Sequence, residues 1–252
     1  MKISFQSANT EAAQKAKRAL SEQYGQHALD EADIVVVLGG DGALIHTLHE
    51  IIPFGTPVYG MHMGSIGFLL NDFNSDDLPA RLAAAQAVTM HPLIAQITDY
   101  QGTKFERHGI NDIYLNRATH QAAKIDIYVD GVKRLERMIC DGVIVATPAG
   151  STGYNLSAHG PVIPLGSELL CLTPISVFRP RRWRGALLPS HSEIAFDVAE
   201  GAKRPVHMIA DFMEVRNVQY VEIKEDKSKT LTLLFDPELN LDERIRKEQF
   251  MP

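Results

Sequence analysis

The sequence predicts a two-part fold: an α/β domain with a parallel sheet, followed by a mainly β domain. Up to about residue 91, apolar strand-like runs alternate with helical stretches, which is typical of a parallel sheet covered by helices. After His91 and Pro92, short runs with partial alternation of polarity follow one another, separated by glycine, proline and asparagine turns. We therefore expect one domain over 1–91 and a second over 92–235.

The first domain is predicted to alternate strands and helices. Five consecutive apolar residues, Ile34 to Leu38, indicate a strand buried on both faces. Apolar residues spaced by three and four after Asp41 indicate an amphipathic helix. The predicted elements, in chain order, are strand 1–6, helix 10–24, strand 32–40, helix 41–52, a short strand with a glycine-bearing loop over 56–69, and helix 75–87, opened by Ser75 and early carboxylates.

The second domain is predicted as a series of short strands. Asp130-Gly131 between two alternating runs indicates a hairpin turn of the Asp-Gly kind. The segment 236–252 looks helical towards its end, and we expect it to pack back on the first domain. The strand-like runs are 93–100, 104–117, 124–138, 142–148, 192–200 and 221–235.

Composition restricts the class of protein. The chain has 252 residues, 45% of them hydrophobic, and a net charge of −6, so no overall basic field suggests a protein that works on nucleic acid. Cys140 and Cys171 lie outside any CxxC pattern, which argues against a disulfide framework or a zinc site. No export signal or run of about 20 apolar residues is present. We expect a cytoplasmic protein with no membrane contact, no nucleic-acid partner and no resident metal site.

A glycine turn follows the buried strand. Gly39, Gly40 and Gly42 would let the backbone approach phosphate oxygens where a helix begins. The pattern is neither the dinucleotide fingerprint nor the P-loop. A carboxylate beside phosphate repels it unless it meets a metal ion or takes a proton, so Asp41 is a candidate general base for phosphoryl transfer. The alternative is a plain turn in which Asp41 caps the next helix.

Four blocks in this order resemble the NAD kinases. They are LGGDG at 38–42, GSIGFL at 64–69, IND at 110–112, and DGVIVATPAGSTGYNLSAHGP at 141–161. The resemblance covers most of the chain, from about 33 to 212. It implies an N-terminal α/β domain and a β-rich C-terminal domain, and transfer of the γ-phosphate of ATP to the adenosine-ribose 2′-hydroxyl of NAD. It also implies a homodimer or homotetramer.

The resemblance implies roles for the glycine turn. Asp41 stands at the position of the family's general base, and Gly39, Gly40 and Gly42 stand where phosphate is bound. The cofactor it implies is Mg²⁺ or another divalent cation, which we expect to arrive bound to the phosphates of ATP, the phosphoryl donor.

It also implies an NAD-binding set. In this sequence Asp112 stands where the family usually has glutamate, Ala149 where a hydroxyl residue is common, and Gly153 where alanine is common. Taken without the resemblance, IND can be an ordinary turn and TPAGSTGYN an ordinary loop. The set comprises Asp41, Gly42, Phe68, Asn111, Asp112, Asp141, Ala149, Thr152, Gly153, Tyr154, Asn155, Leu156 and Ser157.

Two further features stand outside those blocks. The run FRPRRWRG carries Arg179, Arg181, Arg182 and Arg184, whose guanidinium groups could bind phosphate in bidentate fashion or lie in a solvated or subunit-contact loop. Asp211 aligns loosely with a family aspartate near the same pocket.

Three rival functions stay open. A lipid or sugar kinase sharing GGDG does not account for TPAGSTGYN, and no amphipathic membrane-surface segment supports it. A non-catalytic dinucleotide sensor would keep the pocket without turnover. A nucleic-acid module would rest on the arginine run alone. The sequence leaves open whether the donor is ATP only or includes polyphosphate, and whether NADH is accepted.

Overall fold

The computed structural model describes residues 1–64 and 67–239. The described residues divide into two compact units: Met1–His91 together with residues 228–239, and Pro92–Lys227. The first contains a mainly parallel sheet with helices, and the second contains antiparallel sheets. The predicted fold class, α/β followed by mainly β, is confirmed.

The elements are numbered in chain order. The helices are α1 Glu11–Tyr24, α2 Asp41–Ile51, α3 Leu78–Ala84 and α4 Tyr154–Ser157, with a 3-10 helix at Ala149–Thr152. The strands are β1 Ile3–Ser7, β2 Ile34–Gly39, β3 Val58–His62, β4 Gln86–Met90, β5 Leu93–Asp99, β6 Lys104–Gly109, β7 Asp112–Arg117, β8 Ala123–Val129, β9 Val132–Cys140, β10 Gly142–Ala146, β11 Leu169–Ile175, β12 Ala186–Pro189, β13 Ile194–Val198, β14 Val206–Ala210, β15 Met213–Val215, β16 Val218–Glu225 and β17 Leu231–Phe235.

The sheet of the first unit has the order β1-β2-β3-β17-β4. β1, β2, β3 and β17 run parallel, and β4 is antiparallel to β17. Val35 to Leu38 on β2 are fully buried, as their unbroken apolar run predicts for a central parallel strand. Because parallel strands end at the same edge, the carboxyl end of β2 places the glycine turn at the edge where ligands commonly bind.

The second unit contains two six-stranded sheets, ordered β12-β11-β10-β7-β14-β15 and β6-β5-β16-β13-β8-β9. Every pairing in them is antiparallel, including Asp112 on β7 opposite Ala146 on β10. Buried residues of both sheets, such as Leu115 and Phe196, belong to one hydrophobic core. The sheets therefore pack face to face, as in a sandwich.

The hairpin predicted at Asp130-Gly131 joins β8 to β9. Both residues have positive φ, 52° and 74°, as the favoured two-residue hairpin turn requires. The Asp130 carboxylate accepts a hydrogen bond from the backbone N–H of Glu193 at 2.9 Å. The local prediction is confirmed.

Two sequence predictions in the first unit were wrong in extent. The helix predicted over 75–87 spans only Leu78–Ala84, and the following Gln86–Met90 form β4, because pairing with β17 overrides the helical propensity of the alanine run. The boundary predicted at residue 235 assigned residues 231–235 to the second domain. The structure places them as β17 inside the first sheet.

Side chains at the end of β17 hold it in the first unit. Asp236 accepts hydrogen bonds from the Tyr59 hydroxyl at 2.5 Å and from the Arg81 guanidinium at 2.6 Å. The backbone N–H of Asp236 donates to the buried Asn71 at 2.8 Å. The predicted returning segment, 236–252, therefore starts at a residue that is bonded to the first unit. Its remaining part, 240–252, lies outside the described residues.

Candidate active site

The glycine turn connects β2 to α2. Gly40 is the N-cap of α2, with extended φ and ψ of −114° and 179° and no side-chain cap. A Cβ added at Gly39 would lie 2.9 Å from the Cβ atoms of Ala8 and Ala43, whereas one added at Gly40 or Gly42 would meet nothing within 4 Å. Gly39 is therefore required by packing, while Gly40 and Gly42 leave the backbone open at the amino end of the helix, where partial positive charge favours anions.

Asp41 is the first residue of α2, and its carboxylate bonds to another loop. Oδ2 accepts the backbone N–H of Phe68 at 2.8 Å, and Oδ1 accepts that of Leu69 at 3.1 Å. A Cβ at Gly67 would lie 2.7 Å from Asp41 Oδ1. The alternative in which Asp41 caps its own helix is therefore wrong. The carboxylate is oriented by loop amides instead, and each oxygen keeps acceptor capacity for another donor or a cation.

Residues 110–112 form the second predicted block, and their backbone is fixed from two sides. The Asp211 carboxylate accepts the N–H groups of Ile110, Asn111 and Asp112 at 2.6, 2.9 and 3.2 Å. On the other side, the Thr147 hydroxyl donates to the carbonyls of Ile110 and Asn111 at 2.8 and 3.1 Å. The backbone of the turn is thereby held in one conformation by Asp211 and Thr147, and the side chains of residues 110–112 take no part in this.

Those side chains have unusual environments. The buried Asn111 Oδ1 meets no hydrogen-bond donor within the described part of the chain. Asp112 is only 6% exposed, and burial, followed by the neighbouring Asp211 charge, raises the pKa of Asp112 to about 7. A buried acceptor without a partner and a carboxyl group with a strongly raised pKa are features of binding and catalytic sites.

The block at 147–157 packs directly on this turn. A Cβ at Gly150 would lie 2.0 Å from the Asn111 carbonyl oxygen, so only glycine allows the approach. Ala149 is buried, Thr152 and Leu156 are half-buried, and Gly153 and Ser157 are exposed. Tyr154, 37% exposed, packs edge-on against Tyr114 with ring centroids 4.9 Å apart.

Asn155 differs from its neighbours because it is fully buried. Its Nδ2 donates to the carbonyls of Ser151 and Pro161 at 3.2 and 2.9 Å, and its Oδ1 accepts the Thr173 hydroxyl at 2.7 Å. The amide therefore has partners at both ends inside the protein. Its contacts are those of a residue that holds the loop.

Asp141 lies in the same neighbourhood. Burial, then the charges of Asp112 and Asp141, raise the pKa of Tyr154, which places these three residues within electrostatic reach of one another. Asp141 Oδ1 accepts the Arg117 Nε–H at 2.5 Å. The structure thus brings together the sequence-predicted residues of the second unit, 111–112, 141 and 149–157, and separately groups 39–42 with half-buried Phe68 in the first.

The arginine run stands apart from these groups. Arg179, Arg181, Arg182 and Arg184 are all exposed, and the guanidinium groups of Arg179 and Arg181 lie 5.6 and 4.9 Å from the Phe178 ring centroid. Trp183 instead packs against the core of the second unit. None of the four arginines has an ion pair to a described residue.

Sequence reasoning missed the residues that fix the backbone. Thr147, Gly150 and Gly67 lie inside the quoted blocks, but their roles depend on contacts that no spacing reveals. Asp211 was noted only through a loose alignment, about 100 residues away from the amides it binds. Within 1–64 and 67–239, three or more histidine, cysteine, aspartate or glutamate side chains nowhere gather as a metal site would require. No helix of the same residues has the length and apolar character to cross a membrane.

The fold occurs in solved nucleotide-dependent kinases. A crystal structure of yeast NADH kinase complexed with NADH superposes with a TM-score of 0.85 at 20% identity, covering 98% of this chain and 86% of that one. An NAD kinase from Archaeoglobus fulgidus in complex with ATP gives a TM-score of 0.75 at 22% identity, covering 98% and 96%. These likenesses show the class of fold.

The sequence comparisons define the family. Residues 1–87 match the family model for the ATP-NAD kinase N-terminal domain, and residues 110–231 match that for the C-terminal domain. The NAD kinase of Hyphomonas neptunium is 50% identical over 250 residues, covering 99% of this chain and 98% of that protein. The chain belongs to the NAD kinase family.

Proposed function

We propose that this chain transfers the γ-phosphate of ATP to the adenosine-ribose 2′-hydroxyl of NAD, producing NADP and ADP. The observation that carries the proposal is the Asp41 carboxylate, oriented by the amides of Phe68 and Leu69 at the open amino end of α2. A helix amino end suits phosphate, and a positioned carboxylate beside it suits a hydroxyl that must lose its proton.

In the proposed step, the ribose 2′-oxygen forms a bond to the γ-phosphorus while the bond from that phosphorus to the β,γ-bridging oxygen breaks. The hydroxyl proton passes to Asp41, and the bridging electron pair leaves with ADP. Phosphoryl transfer has a loose transition state, so the proton is needed late and a carboxylate is a sufficient acceptor. Positioning of the hydroxyl supplies most of the acceleration, with proton transfer worth about 10²- to 10⁴-fold.

The phosphates are proposed to lie against Gly40 and Gly42, where the backbone is open. We propose that a divalent cation, Mg²⁺ by preference, enters with ATP. Carboxylate and phosphate oxygens are the ligands it favours, and Asp41 retains acceptor capacity for it. When bound, the cation would neutralise charge that develops on the phosphates.

For NAD, the unpartnered Asn111 Oδ1 is proposed to accept a hydrogen bond from the adenine amino group or a ribose hydroxyl. The Asp112 carboxylate is proposed to accept ribose hydroxyls. In the 149–157 block, small residues leave space for a planar ligand, and hydroxyl groups can orient it by hydrogen bonds. The further proposed contacts are Phe68, Asp141, Ala149, Thr152, Gly153, Tyr154, Leu156 and Ser157, with Asn155 supporting the loop from inside.

The exposed arginines are proposed as secondary phosphate contacts. Their guanidinium groups carry no ion pair to the residues described, and arginine binds phosphate in bidentate geometry. The double variant Arg182→Ala/Arg184→Ala should raise the KM for ATP or polyphosphate while leaving the KM for NAD unchanged. An unchanged donor KM would assign the segment to a solvated or subunit-contact loop instead.

We also infer a homodimer or homotetramer in a reducing cytoplasm. The first is what the resemblance of the sequence blocks to the family implies, and sedimentation equilibrium would test it. The second is supported by Cys140 and Cys171, which are buried free thiols. Burial raises the pKa of both thiols, to about 12 and about 11, so they remain protonated and unreactive.

The test is NADP formation from NAD, Mg²⁺ and ATP, detected with an NADP-specific dehydrogenase. Asp41→Asn should lower kcat by about 10²- to 10⁴-fold while the dissociation constant for NAD stays within about threefold. Asp76→Asn, an exposed carboxylate of the same unit, is the matched control and should behave as wild type. Wild-type protein that binds NAD but forms no NADP would identify a dinucleotide sensor, and full turnover by Asp41→Asn would remove Asp41 as the proton acceptor.

A further inference from the structure

The strongest unassigned contact in the second unit joins Asp211 to residues 110–112. Its two carboxylate oxygens accept three consecutive backbone N–H groups, Oδ2 from Ile110 and Oδ1 from Asn111 and Asp112. Hydrogen bonds to an ionised acceptor are about twice as strong as neutral ones.

We infer that Asp211 is a positioning residue for NAD: its carboxylate fixes the Asn111-Asp112 turn by accepting the backbone N–H groups of residues 110–112. The inference rests on the proposed function, because it assumes that this turn binds NAD. Asp211 itself touches no substrate in this scheme.

The backbone polar groups of the 110–112 turn already have partners inside the protein. Asp211 binds its three N–H groups, and Thr147 donates its hydroxyl to the carbonyls of Ile110 and Asn111. Ligand binding therefore does not have to order this backbone, and the associated entropy cost is already met in the free protein. What remains for a ligand is the Asn111 Oδ1, buried and without a donor among the described residues.

Asp211 is held in place by the sheet. It directly follows β14, whose Ala210 pairs with Ile113 of β7, and its own N–H donates to the Asp112 carbonyl at 3.1 Å. The pairing of β14 with β7 thus holds the Asp211 carboxylate against the backbone of the turn. A displacement of Asp211 would move Asn111 and Asp112 together.

The charge of Asp211 also acts on the Asp112 carboxyl group. Asp112 on β7 lies opposite the apolar Ala146 on β10. The titratable groups in its surroundings are Asp211, at the end of β14, and the phenols of Tyr114 and Tyr154. Burial is the larger cause of the raised Asp112 pKa and the Asp211 charge the second. A neutral residue at 211 therefore lowers the pKa of Asp112 without relieving its burial.

A bland alternative is that Asp211 serves only the hairpin between β14 and β15. Its φ of 52° is left-handed, a region that aspartate and asparagine both tolerate. Asp211→Asn separates the two roles. It keeps the turn conformation and one acceptor oxygen, but it removes the charge and sets an NH₂ group against one of the N–H donors.

The experiment titrates NAD into the ATP-free protein by calorimetry between pH 5.5 and 8.5. Asp211→Asn should weaken NAD binding by about tenfold at pH 8. It should also move the pH midpoint of binding, which we assign to Asp112, to lower pH. The KM for ATP should stay within twofold. Asp130→Asn is the matched control, because Asp130 is also left-handed, at φ 52°, and also accepts a backbone N–H.

Binding by Asp211→Asn that equals wild type in affinity and midpoint would overturn the inference, as would an equal loss in Asp130→Asn. If Asp211→Asn does not fold, amide exchange of the ligand-free wild type decides. The Ile110 and Asn111 amides should be protected although both lie outside strands, and rapid exchange of these amides would overturn the inference. Wild-type protein that binds NAD without forming NADP would end the proposed kinase function while leaving this binding test valid.

Discussion

The Asp41 carboxylate lies so close to Gly67 that position 67 has no room for a side chain. A Cβ at Gly67 would lie 2.7 Å from Asp41 Oδ1 and 3.1 Å from its Cγ. The amides of the next two residues, Phe68 and Leu69, hold the same carboxylate. The position of the proposed proton acceptor is therefore set by a loop distant in sequence, and the absence of a Cβ at one position is part of that arrangement.

Gly67→Ala should displace the Asp41 carboxylate. We expect kcat to fall by about 10- to 100-fold, since a misplacement of about 1 Å costs that much in a positioned reaction. Gly64→Ala, at an exposed position where a Cβ meets nothing within 4 Å, is the control in the same loop. Steady-state NADP formation with parallel melting temperatures measures the effect. Equal activities of the two variants would show that Gly67 does not position Asp41.

The glycines of the turn should separate into two kinds. Gly39→Ala should lower stability by about 1–3 kcal/mol, because its Cβ would meet Ala8 and Ala43 at 2.9 Å. Gly40→Ala should leave stability nearly unchanged and raise the KM for ATP, because only bound phosphate would meet the new methyl group. Urea denaturation and donor kinetics test both. A normal ATP KM in Gly40→Ala would argue against phosphate lying on this backbone.

Asp112 should make stability depend on pH. Its folded pKa of about 7 lies above its ordinary value of 3.8, so its stabilising contribution is complete below about pH 4 and is lost as the pH rises through about 7. Asp112→Asn should therefore gain stability relative to wild type at pH 8 more than at pH 5. Urea denaturation of both ligand-free proteins at the two pH values is the measurement. Parallel pH dependences would contradict the raised pKa.

Asn155→Ala should destabilise the protein by about 3 kcal/mol, because it removes the amide partners of the buried Thr173 hydroxyl and the Ser151 carbonyl and leaves the Pro161 carbonyl with only the weak Cys171 thiol donor. Exposed Ser157, in the same short helix, is the comparison: Ser157→Ala should change stability by less than about 0.5 kcal/mol and weaken NAD binding instead. Free energies of unfolding and NAD titrations distinguish them. A stable Asn155→Ala with weak NAD binding would make Asn155 a ligand contact.

The order of elements around the glycine turn could be predicted because its determinants are local. An unbroken apolar run predicts a buried strand, glycines predict a turn, and regular apolar spacing predicts a helix, and β2 and α2 follow in that order. The end of the predicted helix over 75–87, residues 86 and 87, was mispredicted for the opposite reason. Its local preference is helical, and pairing with β17, about 145 residues later, decides its actual conformation.

By itself, the sequence determined the fold class, the positions of most elements, and the blocks that identify the family, because periodicity, turn chemistry and motif order are written along the chain. Only the tertiary structure decided that residues 231–235 complete the first sheet, and that Asp41 bonds to the amides of Phe68 and Leu69 rather than capping its helix. It also decided that Asp211 holds the amides of residues 110–112. Each of these contacts joins residues far apart in sequence, so it exists only once packing has brought their strands and loops together.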